Sequence, residues 1–219
     1  VAKPAWTQKA FPIAALALGT PCLVVAGLGL WNYKDATSHS PSMPDTKILN
    51  ATITTTDEKN PGKVSDHYKM PANQPRAIDI PSLNASGYVQ RVGVSTDNTM
   101  IAPGNIFFAG WYVGSPAPGE KGVSIIDGHV RGKYQDGIFR HLASLKGGDT
   151  IRVQMGDNSW REFSVVGTQS YLVEEADKAL FADDQAIDRE LHLITCDGAF
   201  DNGSQAYNKR LIVTARLTR

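Results

Sequence analysis

Cysteine is scarce in this chain: Cys22 and Cys196 are the only two in 219 residues. Cys22 sits in an apolar run, and Cys196 follows a strand-like run far downstream. That separation argues against a disulfide framework and leaves Cys196 as a free thiol. Net charge is missing as well, with 22 Lys+Arg against 22 Asp+Glu. The balance lacks the basic footprint of a nucleic-acid binder. Neither the Asp/Glu placement nor the Cys/His spacing suits a metal ion, so no metal or other cofactor is expected. No internal repeat is visible. The length suits one domain of ordinary size plus extra segments, and 42% hydrophobic residues are enough to give that domain a core.

Long hydrophobic runs are lacking too, with one exception. Residues 11–31, FPIAALALGTPCLVVAGLGLW, carry no charge, and a membrane-spanning helix needs about 20 such residues. Lys3 and Lys9 precede the run, whereas Lys34 and Asp35 cancel just after it. This asymmetry favours residues 1–10 in the cytoplasm and the remainder outside. Trp31 and Tyr33 suit the outer interface; Pro12 is tolerated at a helix start, and Pro21 predicts a kink. A retained anchor is favoured over a cleaved signal peptide, because the run exceeds an h-region of roughly 7–15 residues and no small-x-small site comes directly after it. A lipoprotein signal at Cys22 is disfavoured by Pro21 and by the apolar residues continuing past it. The expectation is a single-pass membrane protein with its main domain extracellular.

Residues 32–76 change in character. Thr, Ser, Asp, Lys, Asn and Pro dominate, with Pro41, Pro44, Pro61, Pro71 and Pro75 in the stretch and Pro81 at the domain edge. Such composition reads as an extended stalk, and it leaves open whether the later part packs on the domain beyond it. Residues 77–219 read as the folded domain. Apolar runs bounded by turn residues predict strands over 77–80, 89–94, 105–109, 123–126, 150–154, 161–168, 190–195 and 211–217. Ile138, Phe139 and Leu142 stand at helical spacing within 137–145, and 174–180 suggests a second short helix. About eight strands with a few short helices imply a mainly β fold, a closed or nearly closed β-barrel.

Three places carry candidate chemistry. An apolar strand, Leu191 to Thr195, runs into Cys196 and a Gly-containing loop, which fixes the base of the thiol and leaves its sulfur open. His129 comes after the strand 123–126 and precedes a loop, and histidine is the usual proton carrier near neutral pH. Arg210 opens the last strand; its forked, permanently charged donors suit an oxyanion or a substrate carbonyl. Taken singly, each has a plainer explanation: a buried free thiol, a capping histidine, a solvated strand-end charge. The combination of one Cys, one His and one Arg at strand ends favours nucleophilic catalysis. His141 and His192 fall on a helical segment and a strand, where packing or surface roles suffice. Asp127 and Asp197 flank the candidate site; either is placed to orient His129, although a solvated carboxylate is the default for both.

Leu193-Ile194-Thr195-Cys196 resembles the Leu-x-Thr-Cys signature of sortases, cysteine transpeptidases of Gram-positive cell surfaces. Lys209-Arg210-Leu211-Ile212-Val213 is similar to the family's arginine segment, and Gly128-His129 to its Gly-His pair. Gly137 to Leu142 and Gly148 to Val153 also resemble the family's helix and the strand after it, so the likeness runs in order from about residue 77 to 219. Gly110-Trp111-Tyr112 before a Pro/Gly-rich loop is most similar to class F sortases of actinobacteria.

The resemblance implies an eight-stranded sortase-type barrel. It implies that Cys196 attacks the Thr carbonyl of a Leu-Pro-x-Thr-Gly-like sorting signal, with His129 protonating the leaving amine. Arg210 and a backbone N–H near Asp197 would hold the oxyanion. An amine on a cell-wall precursor would resolve the thioester and anchor the surface protein. Substrate contacts are expected from Thr195, Asp197, Leu172 and Val173, the last two in a segment, 169–189, that closes over the peptide. The enzyme is expected to act as a monomer. A cysteine peptidase releasing the peptide to water, or an inactive binding barrel, would carry many of the same features.

Overall fold

The computed structural model describes residues 57–96, 100–182, 184, 186–203 and 206–219. The expected anchor at 11–31 and the stalk as far as residue 56 lie outside these. Among the described residues there are eight strands: β1 (Pro75–Ile80), β2 (Ala85–Val92), β3 (Ala109–Tyr112), β4 (Gly122–Gly128), β5 (Thr150–Met155), β6 (Trp160–Leu172), β7 (Arg189–Asp201) and β8 (Ala206–Leu217). They close into a barrel in the order β1-β2-β3-β4-β7-β8-β6-β5. The β2–β3 and β4–β7 pairs are parallel and the others antiparallel. The barrel expected from the strand pattern is the barrel found.

Alternation along the strands builds two apolar clusters. Leu191 and Leu193 of β7 face the interior with Val213 and Ala215 of β8, Ile126 of β4, and Phe139 and Phe163. Ile194, Ile125 and Ile212 face outward and are covered by Leu180 of the helix α1 (Val173–Phe181). The segment bearing Cys196 is therefore packed on both faces up to the residue before it.

Two elements differ from the sequence reading. The expected strand 105–109 begins only at Ala109. Asn105 instead folds its buried side chain onto its surroundings: Oδ1 accepts from Phe107 N (2.8 Å), and Nδ2 donates to Asp57 Oδ2 and Lys59 O. A side chain satisfying local backbone groups in this way makes a turn, not a ladder. The helix expected within 137–145 is only a 3-10 turn, Leu142–Ser144. Ile138, Phe139 and Leu142 are buried all the same, so their spacing reported burial and not a helix. Part of the expected stalk packs on the barrel. Tyr68 Oη donates to Val89 O (2.8 Å), burial pushes its phenol up to about 12, and the buried Arg76 donates to Asn158 Oδ1 and Ser65 O (both 2.8 Å).

Candidate active site

Strand order places Cys196 opposite Arg210 and next to the strand that leads to His129. Cys196 on β7 pairs directly across from Arg210 on β8. On its other side β7 runs parallel to β4, with Asp127 opposite Ile194. His129 stands two residues beyond Asp127, and Cys196 two beyond Ile194, so His129 follows the end of the strand that flanks Cys196. Side chains two apart on a strand share a face. Cys196 thus stands on the outer face with Ile194, at the end of the apolar strip beneath α1.

Close packing fixes the backbone around His129. A Cβ on Gly128 would fall 2.5 Å from the Phe139 ring, and one on Gly137 would fall 2.2 Å from the His129 carbonyl oxygen. Only glycine permits these approaches. Phe139 N donates to His129 O (3.0 Å), and Gly137 N to Val130 O (3.2 Å). The imidazole Nε2 lies 2.7 Å from Pro103 O. A carbonyl can only accept, so Nε2 carries the proton and Nδ1 is the basic nitrogen. Thr195 Oγ1, buried, donates to Gly128 O (2.7 Å) and ties the strand bearing Cys196 to the strand that ends at His129. Arg210 is half-buried; its Nη1 donates to Tyr207 O (3.1 Å) and Lys209 O (2.9 Å), a hold that aims the rest of the fork.

The electrostatics disfavour a standing ion pair. Burial pushes the Cys196 thiol up; the Arg210 guanidinium pulls it back down, and the Asp127 carboxyl adds to the rise. Burial lowers His129, with the Pro103 carbonyl acting weakly against it. Both groups therefore rest uncharged at neutral pH, and the thiolate–imidazolium form is a minor population. Burial holds Asp127 well above the ordinary carboxylate range, its own backbone amide opposing. Its Oδ1 is buried over Gly110 and has no hydrogen-bond partner among the described residues. It is not the solvated carboxylate expected by default, and the group found on the His129 ring is the Pro103 carbonyl.

The remaining candidates are spread around this centre. Asp197 and Leu172 share a row with Lys209, one step beyond Cys196, and alternate to the opposite sheet face. Asp197 accepts a hydrogen bond from Ser170. Leu172 and Val173 are partly exposed, at 39% and 42%, where β6 passes into α1. His141 is exposed. His192 is buried, its ring nitrogens on Leu180 O (2.8 Å) and Glu190 Oε1 (3.0 Å), so it packs α1 against β7. Two neighbours had no signal in the sequence. Pro103 acts through its carbonyl, which any residue type supplies. Tyr171 joins the Cys196–Arg210 row only because β6 pairs with β8.

A model of the sortase domain matches residues 78–218. The chain belongs to the sortase family, whose members are cysteine transpeptidases. Among solved structures it is similar to the SrtA sortase from Actinomyces oris, with 25% identity over 66% of this chain and 79% of that one and a TM-score of 0.50. It is likewise similar to a lid mutant of sortase A from Corynebacterium diphtheriae, with 24% identity over 66% and 70% and a TM-score of 0.51; that likeness shows the fold. No curated protein sequence matches the chain.

Proposed function

We propose that this sortase cleaves a Leu-Pro-x-Thr-Gly-like sorting signal between Thr and Gly and joins the acyl part to an amine, so anchoring surface proteins to the cell wall. The observation that carries this reading is the register that sets Cys196 between Arg210 on β8 and the His129 end of β4. In the minor ion-pair form, Cys196 Sγ attacks the Thr carbonyl carbon and the carbonyl electrons move onto oxygen. Arg210, whose fork is aimed by Tyr207 O and Lys209 O, offsets the charge on that oxygen with help from a backbone N–H near Asp197. His129 gives its Nδ1 proton to the Gly nitrogen as the C–N bond breaks, leaving a thioester on Cys196. An incoming amine loses a proton to His129, attacks the thioester and expels the thiolate. Leu172 and Val173 are exposed beside this row and contact the Leu and Pro of the signal. Thr195 contributes by holding β7 to Gly128, and its hydroxyl is not open to peptide.

The domain plan that goes with this reading is a cytoplasmic stretch (1–10), an anchor (11–31), a stalk (32–76) and the catalytic domain (77–219), acting as a monomer outside the membrane. In this reading it is a class F enzyme of actinobacterial type, supported by the resemblance of Gly110-Trp111-Tyr112 and the Pro/Gly-rich loop after it. The test is a sorting-signal peptide with and without an added amine. A transpeptidase gives the amine adduct. A peptidase gives only the acid, and a binding barrel leaves the peptide intact; either of those outcomes removes the proposal.

A further inference from the structure

The matched sortase domain begins at residue 78, yet a segment well before it touches both loops that hold His129. Asp57 forms a parallel bridge with Asn105: its N–H donates to Gly104 O (2.9 Å), and its carbonyl accepts from Ile106 N (3.0 Å). Asn105 Nδ2 returns bonds to Asp57 Oδ2 (3.1 Å) and Lys59 O (3.0 Å). These contacts fix the residues directly after Pro103, whose carbonyl sits on the His129 ring.

The next residue reaches the other loop. Beyond His129 the chain makes a tight hairpin, with Arg131 bridged to Asp136 and Gly132 N donating to Gln135 O (2.8 Å). The Glu58 carboxylate accepts from the two amides at its tip, Lys133 N through Oε1 and Tyr134 N through Oε2 (3.0 Å). Gln135 Nε2 donates to Glu58 O (2.8 Å). A charged carboxylate on two N–H groups makes stronger bonds than a neutral acceptor. Gly132 leaves room for it, since a Cβ there would fall 2.6 Å from Glu58 Cδ.

We propose that Asp57 and Glu58 form a brace that positions His129, joining the Pro103–Asn105 loop to the 131–136 hairpin from outside the matched domain. Both are positioning residues, because neither reaches the reacting atoms. The inference rests on the role proposed above for His129. Reactivity then depends on residues of the expected stalk: with the brace intact the imidazole is held on Pro103 O, and with it loosened the ring swings and the Cys196–His129 alignment is lost. Misplacing a catalytic group by about 1 Å costs roughly a hundredfold in rate.

The test compares the full chain with its Glu58→Ala, Glu58→Gln and Gly132→Val variants, the last crowding the carboxylate from the opposite side. Hydrogen exchange at the Lys133 and Tyr134 amides reads the contact, kcat and KM read alignment, and NMR titration of His129 reads the ring. In Glu58→Ala the two amides exchange faster, and kcat falls roughly ten- to hundredfold while KM stays within about twofold. The His129 midpoint moves up, because its main displacement comes from burial. Glu58→Gln keeps one acceptor oxygen and falls between the parent and Glu58→Ala, and Gly132→Val behaves like Glu58→Ala. Unchanged exchange would show that the contact does not form. Faster exchange with an unchanged kcat and an unchanged His129 midpoint would reduce it to a surface contact; either result overturns the brace. A parent chain that never acylates Cys196 would instead sink the catalytic reading, and the exchange and titration data would still judge the brace.

Discussion

At the scale of single residues, the centre of the site combines a raised thiol, a lowered imidazole and one fixed cation. Arg210 is the nearby group that favours the thiolate, and its planar fork is held by two carbonyls. Lysine cannot reproduce that geometry. Arg210→Lys should therefore lose roughly 10²–10³ in kcat with the fold intact, checked by steady-state rates alongside circular dichroism. Asp127 works in the opposite direction, since its carboxyl raises Cys196. Its folded value lies above the ordinary 3.8, so above that pH the unfolded chain gives up a proton that the folded chain keeps, and stability falls as pH rises. Asp127→Asn should remove that loss: the variant melts higher than the parent at pH 7, with the gap closing as pH falls toward 3.8. Cys196 alkylation should reach its half-maximal rate at lower pH in the same variant. Cys196, His129 and Arg210 stand out as candidates in the sequence because each is a distinctive side chain bordering an apolar run. Pro103 was not, because its contribution is a carbonyl, and the buried state of Asp127 was not, because Gly110, which gives it room, lies on a different strand.

At the scale of elements, β4 and β7 act as a single unit. Their parallel register pairs Asp127 with Ile194 just before His129 and Cys196, and the Thr195 hydroxyl on Gly128 O closes the pair where the ladder ends. Thr195→Val keeps the branched shape but leaves a buried carbonyl without that donor. It should cost about 1–3 kcal/mol in denaturant unfolding and should also slow turnover, because the two strand ends are no longer tied. The strands themselves were legible from alternation and turn residues. The failures share one cause: around 105–109 and 137–145 the apolar residues do face the core, but their backbones are set by Asn105 and by close packing at Gly137, contacts with distant residues that spacing along the chain does not record. The lengths of β6, β7 and β8 were underestimated in the same way, because their polar ends gain ladder partners only once the barrel has formed.

At the scale of the whole molecule, the chain joins a uniform apolar run, a proline-rich stretch and a barrel. Charge asymmetry about residues 11–31 favours a barrel on the outer side of a membrane. Full-length protein should therefore sediment with membranes, and a chain starting at about residue 34 should be soluble and keep its activity; full-length protein found wholly in the soluble fraction would contradict the anchor. Composition predicts a stalk over 32–76 but not the packing found at 57–76, since Tyr68 and Arg76 carry no mark of the barrel carbonyl and the side chains they meet. Acylation of Cys196 is a single covalent event, and intact-mass spectrometry of the protein after addition of a sorting-signal peptide reads it. The expected result is a single acyl adduct that maps to Cys196, is lost in Cys196→Ala, and disappears when an amine is supplied. An adduct on any other residue, or undiminished turnover in Cys196→Ala, would contradict it.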